Sequence, residues 1–235
     1  MNISKDIYIL CLESSTSICS VALCKNGETI ASKDSLEGQK HSRWMTVYVQ
    51  QLLAEANLKI DQLHAVAVSE GPGSYTGLRV GYSIAKGICY RLDIPIIEIP
   101  TLEALGTSFK VPTDETHVII SAIDARRMEV YWRIINDKGS CLKETEAHIY
   151  NVTSFDSYAH VDRIYVVGDG AEKINNMELD EHIKGKIYIK NHLTYATNLS
   201  KLAFYKYENG LFGDTAYSTP FYLKSPNITT PKKKI

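Results

Sequence analysis

Glu13-Ser14-Ser15-Thr16 follows the apolar run Ile7–Leu12, and Asp124 follows a second apolar run that begins at His117. In an α/β domain, residues just past a strand end stand at the mouth of a cleft. Hydroxyls and free N–H groups there could touch phosphate, and a carboxylate there could position a metal ion or a water. One acid from each half across a cleft suits a nucleotide-dependent enzyme. The same pair is also what inherited geometry leaves after activity is lost, and Ser and Thr by themselves make good turns. Glu13, Ser14, Ser15 and Asp124 are therefore the candidate nucleotide-binding residues.

The glycine-rich stretch Gly71-Pro72-Gly73-Ser74-Tyr75-Thr76-Gly77 looks like a phosphate loop and misses both standard spacings. GxGxxG needs glycine where Thr76 stands, and a P-loop needs Gly-Lys-Ser/Thr after a four-residue gap. Its N–H groups could hold an anion at a helix start. The favoured reading is structural, a tight strand-to-helix turn that packs closely. There is no GxSxG elbow, and no two of the seven histidines are four residues apart, which removes the HExxH pattern. The five cysteines are odd in number and contain no CxxC, so neither a disulfide framework nor a zinc ribbon is indicated. Four of them lie in apolar runs and are expected to be buried thiols. No catalytic residue and no metal ligand is assigned.

Residues 7–12, 18–24, 28–33, 63–69 and 94–99 read as strands, with a helix over 41–56 and another over about 76–91. Asn26-Gly27 suits a tight hairpin turn. Pro112-Thr113-Asp114-Glu115 marks a boundary, after which strands at 117–123, 128–136, 141–149 and 163–168 repeat the order. A short helix near 153–160, a strand at 187–190 and a helix over 195–208 complete the second half. Three antiparallel strands followed by alternating helices and strands is a ribonuclease H-like arrangement. Two in tandem make an actin-like α/β fold with mixed sheets. The expected units are 1–111 and 112–223, with a flexible tail at 224–235.

The helix over 76–91 carries Gly77, Gly81 and Ala85 on one face, the small-residue logic of close helix approach, with Ile84 and Ile88 beside them. The helix over 41–56 has a core face, Met45, Tyr48, Leu52 and Ala56, and a second patch, Trp44, Val47 and Gln51. One sheet covers one face of each helix. The second face belongs either to the other domain or to another subunit, and the sequence leaves both open. Trp44, Val47, Tyr48, Gln51, Gly77, Gly81, Ile84, Ala85 and Ile88 are the candidate partner interface.

Lys plus Arg is 26 and Asp plus Glu 27, for a net charge of −1. A chain that grips nucleic acid alone is usually basic, so any RNA contact is expected to run through a partner. Apolar content of 44% with 23% charged residues is that of a globular protein. No apolar run approaches the ~18 residues of a membrane span. The N-terminus lacks a signal-peptide layout, and a cytoplasmic location is expected.

Ile9–Thr16, Cys19–Leu23, His41-Ser42, Glu70–Gly81, Ala85-Lys86-Gly87 and Pro100–Leu105 together resemble the bacterial TsaB (YeaZ) family. Ala122–Arg126, Glu129-Val130-Tyr131, Gly168-Asp169-Gly170 and Pro220–Lys224 extend the resemblance. Glu13 departs from it, because the family usually has aspartate there. The resemblance implies the actin-like fold and a role in forming N6-threonylcarbamoyladenosine in tRNAs that read codons beginning with adenine. It implies a non-catalytic subunit that binds TsaD, with the ATPase TsaE as a third partner; whether the chain alone is a monomer or a homodimer the sequence leaves open. No intrinsic cofactor is expected, and whether ATP or ADP sits at the subunit boundary the sequence also leaves open. The metal-binding histidines of TsaD align with Thr101 and Leu105, neither of which replaces a histidine on a metal. The alternatives are an independent small-metabolite kinase and a peptidase.

Overall fold

The computed structural model describes residues 6–35, 41–111 and 114–224, with only the backbone at 41–43. Strand β1 (Tyr8–Glu13) is central to the first sheet, and Ile9, Leu10, Cys11 and Leu12 are wholly buried. Burial on both faces explains its unbroken apolar run. It pairs antiparallel with β2 (Cys19–Lys25), which turns at Asn26-Gly27, both at positive φ, into the antiparallel edge strand β3 (Glu28–Ser35). On its other side β1 pairs parallel with β4 (Ala65–Gly71), and β4 pairs parallel with β5 (Ile96–Pro100). The order is β3-β2-β1-β4-β5.

The second sheet repeats this topology with β6 (His117–Asp124) at its centre. Strands β7 (Glu129–Asn136) and β8 (Cys141–Ile149) are antiparallel on one side, and β9 (Arg163–Val167) and β10 (Ile187–Lys190) parallel on the other. The two mixed-sheet halves of the expected actin-like fold are present.

Helices α1 (His41–Glu55) and α2 (Tyr75–Leu92) each join parallel strands of the first sheet. Right-handed crossovers put both on one face, over Leu10, Leu12, Val21, Val66 and Val68. The core face of α1 is Met45, Val49, Leu52 and Leu53, a strip at i, i+4, i+7 and i+8. The expected face shares Met45 and Leu52 with this strip, while Tyr48 and Ala56 pack against its edge and are only partly buried.

The opposite face of the first sheet needs a different cover. Helix α3 (Thr101–Ser108) contributes Ala104, and α5 (Ser200–Glu208) with the 3-10 turn Ala196–Leu199 contributes Ala196, Leu199 and Ala203 against Ile9, Cys11, Ala65, Ala67 and Ile97. The chain has thus returned to the first domain by residue 196. The expected unit 112–223 is corrected accordingly: its last part belongs to the first core, because α1 and α2 cannot reach that face. Near 153–160 the expected helix is a 3-10 turn, Asp156–Tyr158, and α4 (Glu181–Lys184) is a single turn. Residues 112–113 of the expected boundary and all but Lys224 of the expected tail lie outside the described residues.

Candidate functional site

The ends of β1 and β6 face a cleft of about 640 Å³ between the two sheets. Its walls come from the β1–β2 turn (Ser15, Thr16, Ser17), the start of α2 (Gly73–Thr76), the β6–β7 turn (Asp124, Ala125, Arg126) and a C-terminal segment (Phe221–Lys224).

Glu13 and Ser14 do not line it. Glu13 is 1% exposed, and its carboxylate folds back to accept the Ser15 N–H at 2.6 Å and the Ser69 hydroxyl. Burial pushes its carboxyl above the usual range, against the lowering effect of these bonds. Ser14 is also buried and donates to the Gly77 carbonyl at 2.8 Å. Both residues therefore hold the turn together beneath the cleft, which corrects their assignment as ligand contacts. Ser15 borders the cleft through its main chain but is 1% exposed with its hydroxyl buried, which corrects its assignment as well, and Thr16 is joined to Thr194 through their hydroxyls at 2.7 Å.

Asp124 does reach the cleft. It accepts from the Lys173 ammonium at 2.7 Å and from the Arg126 N–H at 2.5 Å, while its own N–H donates to Asp169 at 2.9 Å. Burial, joined by the nearby Asp124 charge, holds Asp169 above the ordinary aspartate range. Lys173 also donates to the Glu129 carbonyl at 2.6 Å, and Glu129 pairs with Lys224. Each acid at this wall except Asp169 has a cation of its own. Glu13 and Asp124 thus occupy matching strand ends and do different work. Asp169 and Lys173 were not singled out as site residues; the Gly168-Asp169-Gly170 motif was the signal at hand.

The glycine-rich turn adopts the structural reading. Ser74 caps α2, its Oγ accepting from the Gly77 N–H at 3.2 Å, and its own N–H donates to the Ser15 carbonyl at 2.6 Å. A Cβ at Gly73 would sit 2.3 Å from the Ser15 oxygen.

The small-residue stripe of α2 faces inward. A Cβ at Gly77 would lie 2.0 Å from the Ser14 carbonyl oxygen, and one at Gly81 would lie 2.7 Å from Ser14 Oγ and 3.3 Å from Val68. Ala85 is wholly buried in the same core. Gly77, Gly81 and Ala85 are therefore removed from the partner interface: they let α2 settle on β1 and β4. The remaining candidates stay at the surface. Trp44 and Tyr48 stack at 5.8 Å and 22°, and with Ile84 and Ile88 they are partly buried along the edge of the first core. Val47 is partly buried and Gln51 exposed.

Thr101 and Leu105 are both buried, Leu105 beside Ile119 and Val167. Among the described residues, no group of three His, Cys, Asp or Glu side chains stands close enough to hold a metal ion, and no helix is long and apolar enough to cross a membrane.

The family model described as TsaD, tRNA N6-adenosine threonylcarbamoyltransferase, matches residues 31–229. The chain is 35% identical over 136 residues to the tRNA threonylcarbamoyladenosine biosynthesis protein TsaB of Haemophilus influenzae, covering 57% of this chain and 56% of the relative. It is 35% identical over 124 residues to TsaB of Escherichia coli, covering 53% of each. The chain thus spans about half the length of the curated relatives it matches. YeaZ from Pseudomonas aeruginosa superposes with a TM-score of 0.74 at 24% identity, over 92% of this chain and all of that one, which establishes a shared fold.

Proposed function

The chain belongs to the family described as TsaD, tRNA N6-adenosine threonylcarbamoyltransferase, and within it to the TsaB/YeaZ members; from that premise we propose that it is a non-catalytic subunit that binds and supports TsaD in forming N6-threonylcarbamoyladenosine in tRNAs reading codons that begin with adenine. The observation that carries this reading is the outer margin of α1 and α2. Trp44, Tyr48, Ile84 and Ile88 lie at the rim of the first core with their outer surfaces still open. Covering such an aromatic and aliphatic patch supplies the water-excluded centre of an interface. The same patch would serve a two-fold homodimer when TsaD is absent.

The positions aligned with the metal-binding histidines of TsaD support a division of labour. Thr101 is buried and Leu105 fills the second core, so the chemistry is assigned to the partner. TsaE is the third partner in this scheme, tRNA is engaged through the assembly, and the setting is the cytoplasm. A nucleotide, ATP or ADP, is assigned to the boundary between subunits.

Co-purification with TsaD, followed by reconstitution of tRNA modification with and without this chain, tests the reading. Trp44→Asp and Ile84→Asp place a charge in the patch and are expected to weaken TsaD binding tenfold or more, on the order of 1.4 kcal/mol or above. Full modification activity without this chain would refute the supporting role. Equal TsaD affinity of both variants would refute the surface. Titrating ADP against the chain alone and against the complex tests the nucleotide.

A further inference from the structure

The segment that follows α5 runs back across the first domain and reaches the second at Lys224. Its first half is anchored in several places. The Gly213 N–H donates to the Ile96 carbonyl at 2.9 Å, and the Lys86 ammonium, on α2, donates to the carbonyls of Ala216 at 2.9 Å and Ser218 at 2.8 Å. The second half, Phe221–Lys224, forms part of the cleft wall and is held differently. The Phe221 N–H donates to the Glu70 carbonyl at 2.7 Å. The Tyr222 ring lies 4.8 Å from that of Tyr75, and its hydroxyl accepts from Arg79 Nε at 3.1 Å. The Arg79 guanidinium in turn sits 4.2 Å from the Tyr75 ring centre. Lys224 then reaches across the cleft to Glu129 on β7.

We propose that Phe221–Lys224 is a reversible lid on the interdomain cleft, latched to the second domain by the Lys224–Glu129 ion pair. Three observations carry the proposal. The segment is rooted on one domain and paired to the other, so the pair is strained or broken whenever the cleft widens. The pair is solvent-accessible, at 47% and 21% side-chain exposure, and exposed pairs are weak enough to break and re-form readily. Beneath the segment lie an aromatic ring and a guanidinium, Tyr75 and Arg79, that Tyr222 covers. Opening turns an occupied aromatic and cationic pair at the head of α2 into a free one, beside Gly73 and Ser74. The hinge falls between Ser218, held by Lys86, and Phe221. The lid is a property of the chain itself and stands whether or not the accessory-subunit reading does.

Amide hydrogen exchange of the full chain tests it, with the Phe221 amide reporting on the lid and the Gly213 amide on its root. Glu129→Gln and Lys224→Gln are each expected to speed Phe221 exchange about two- to fivefold, the range of one exposed ion pair, while Gly213 exchange and the melting temperature hold. The swapped pair, Glu129→Lys with Lys224→Glu, should restore slow exchange, and high salt should bring the wild type toward the single variants. Tyr222→Ala keeps the ion pair and should speed Phe221 exchange by removing the ring contact. Unchanged Phe221 exchange in both single-charge variants would overturn the latch. Equal acceleration at Phe221 and Gly213 would overturn the lid, because the whole segment would then be leaving with its root.

Discussion

Replacing Gly77 with alanine adds one carbon where the structure has no room for it. The new Cβ would stand 2.0 Å from the Ser14 carbonyl oxygen and 3.2 Å from its carbon. That oxygen is main chain, so no rotamer change relieves the contact. Either α2 lifts off β1 or the β1–β2 turn moves, and the turn is tied down by the Ser14–Gly77, Ser15–Ser74 and Glu13–Ser15 hydrogen bonds. Overpacking of this kind costs about 3 kcal/mol, and the gain in helix propensity offsets about 1, leaving about 2 kcal/mol of net loss. For a chain of this length each kcal/mol moves the melting temperature by about 2–4 °C, so a fall of about 4–8 °C is expected. Gly81→Ala makes the comparison sharp. Its Cβ meets the Ser14 hydroxyl, which can rotate away at the cost of its buried bond to Gly77, about 1–3 kcal/mol. Subtracting the same propensity gain, the net loss is about 0–2 kcal/mol. Calorimetry on the two variants should therefore rank Gly77→Ala below Gly81→Ala, and the folded fraction of both should bind TsaD as the wild type does. A Gly77→Ala protein that melts like the wild type but loses partner affinity would refute the inward placement of the stripe.

Glu13 carries a pH signature. Its folded carboxyl is held above the ordinary value by burial, so ionising it opposes folding. That penalty is absent below the unfolded pKa, grows as pH rises through the folded one, and is fully present above it. Glu13→Gln can keep an acceptor for Ser15 N–H and removes the charge, so it should match the wild type in acid and exceed it in melting temperature at alkaline pH. A constant difference across the range would refute the assignment. The thiols give a second test. Cys11, Cys19, Cys24 and Cys89 are buried, and burial pushes Cys19, Cys24 and Cys89 up to about 11, whereas Cys141 is exposed. A thiol reagent at pH 8 should modify Cys141 quickly and the other four only on denaturation; fast reaction of a second thiol in the native chain would contradict the packing.

Much of the architecture is written in local patterns. Apolar runs such as Ile9–Leu12 and Val118–Ala122 mark strands because central strands are buried on both sides, and Asn26-Gly27 marks a hairpin because both positions take positive φ. The order of elements repeats across the halves, and the two sheets repeat it strand for strand. The segments from Ile9–Thr16 to Pro220–Lys224, Glu70–Gly81 above all, likewise carry the family resemblance. These features depend on neighbours along the chain, which a sequence displays directly.

What the sequence left undecided were the matters of direction. It placed Gly77, Gly81 and Ala85 on one face of α2 without saying what that face meets, since a stripe of small residues invites any close backbone; the tertiary structure brings the Ser14 carbonyl there. It placed Glu13 and Asp124 at matching strand ends, and only folding turned one carboxylate beneath its own turn and left the other beside Lys173 at the cleft. It ran the second half straight on to residue 223, whereas the first sheet's uncovered face draws Ala196–Ala203 back across the molecule. Spacing along a chain determines which residues share a face. What lies against that face is determined by segments more than 190 residues away, as Ala203 is from Ile9, through burial and close contact that local pattern does not encode.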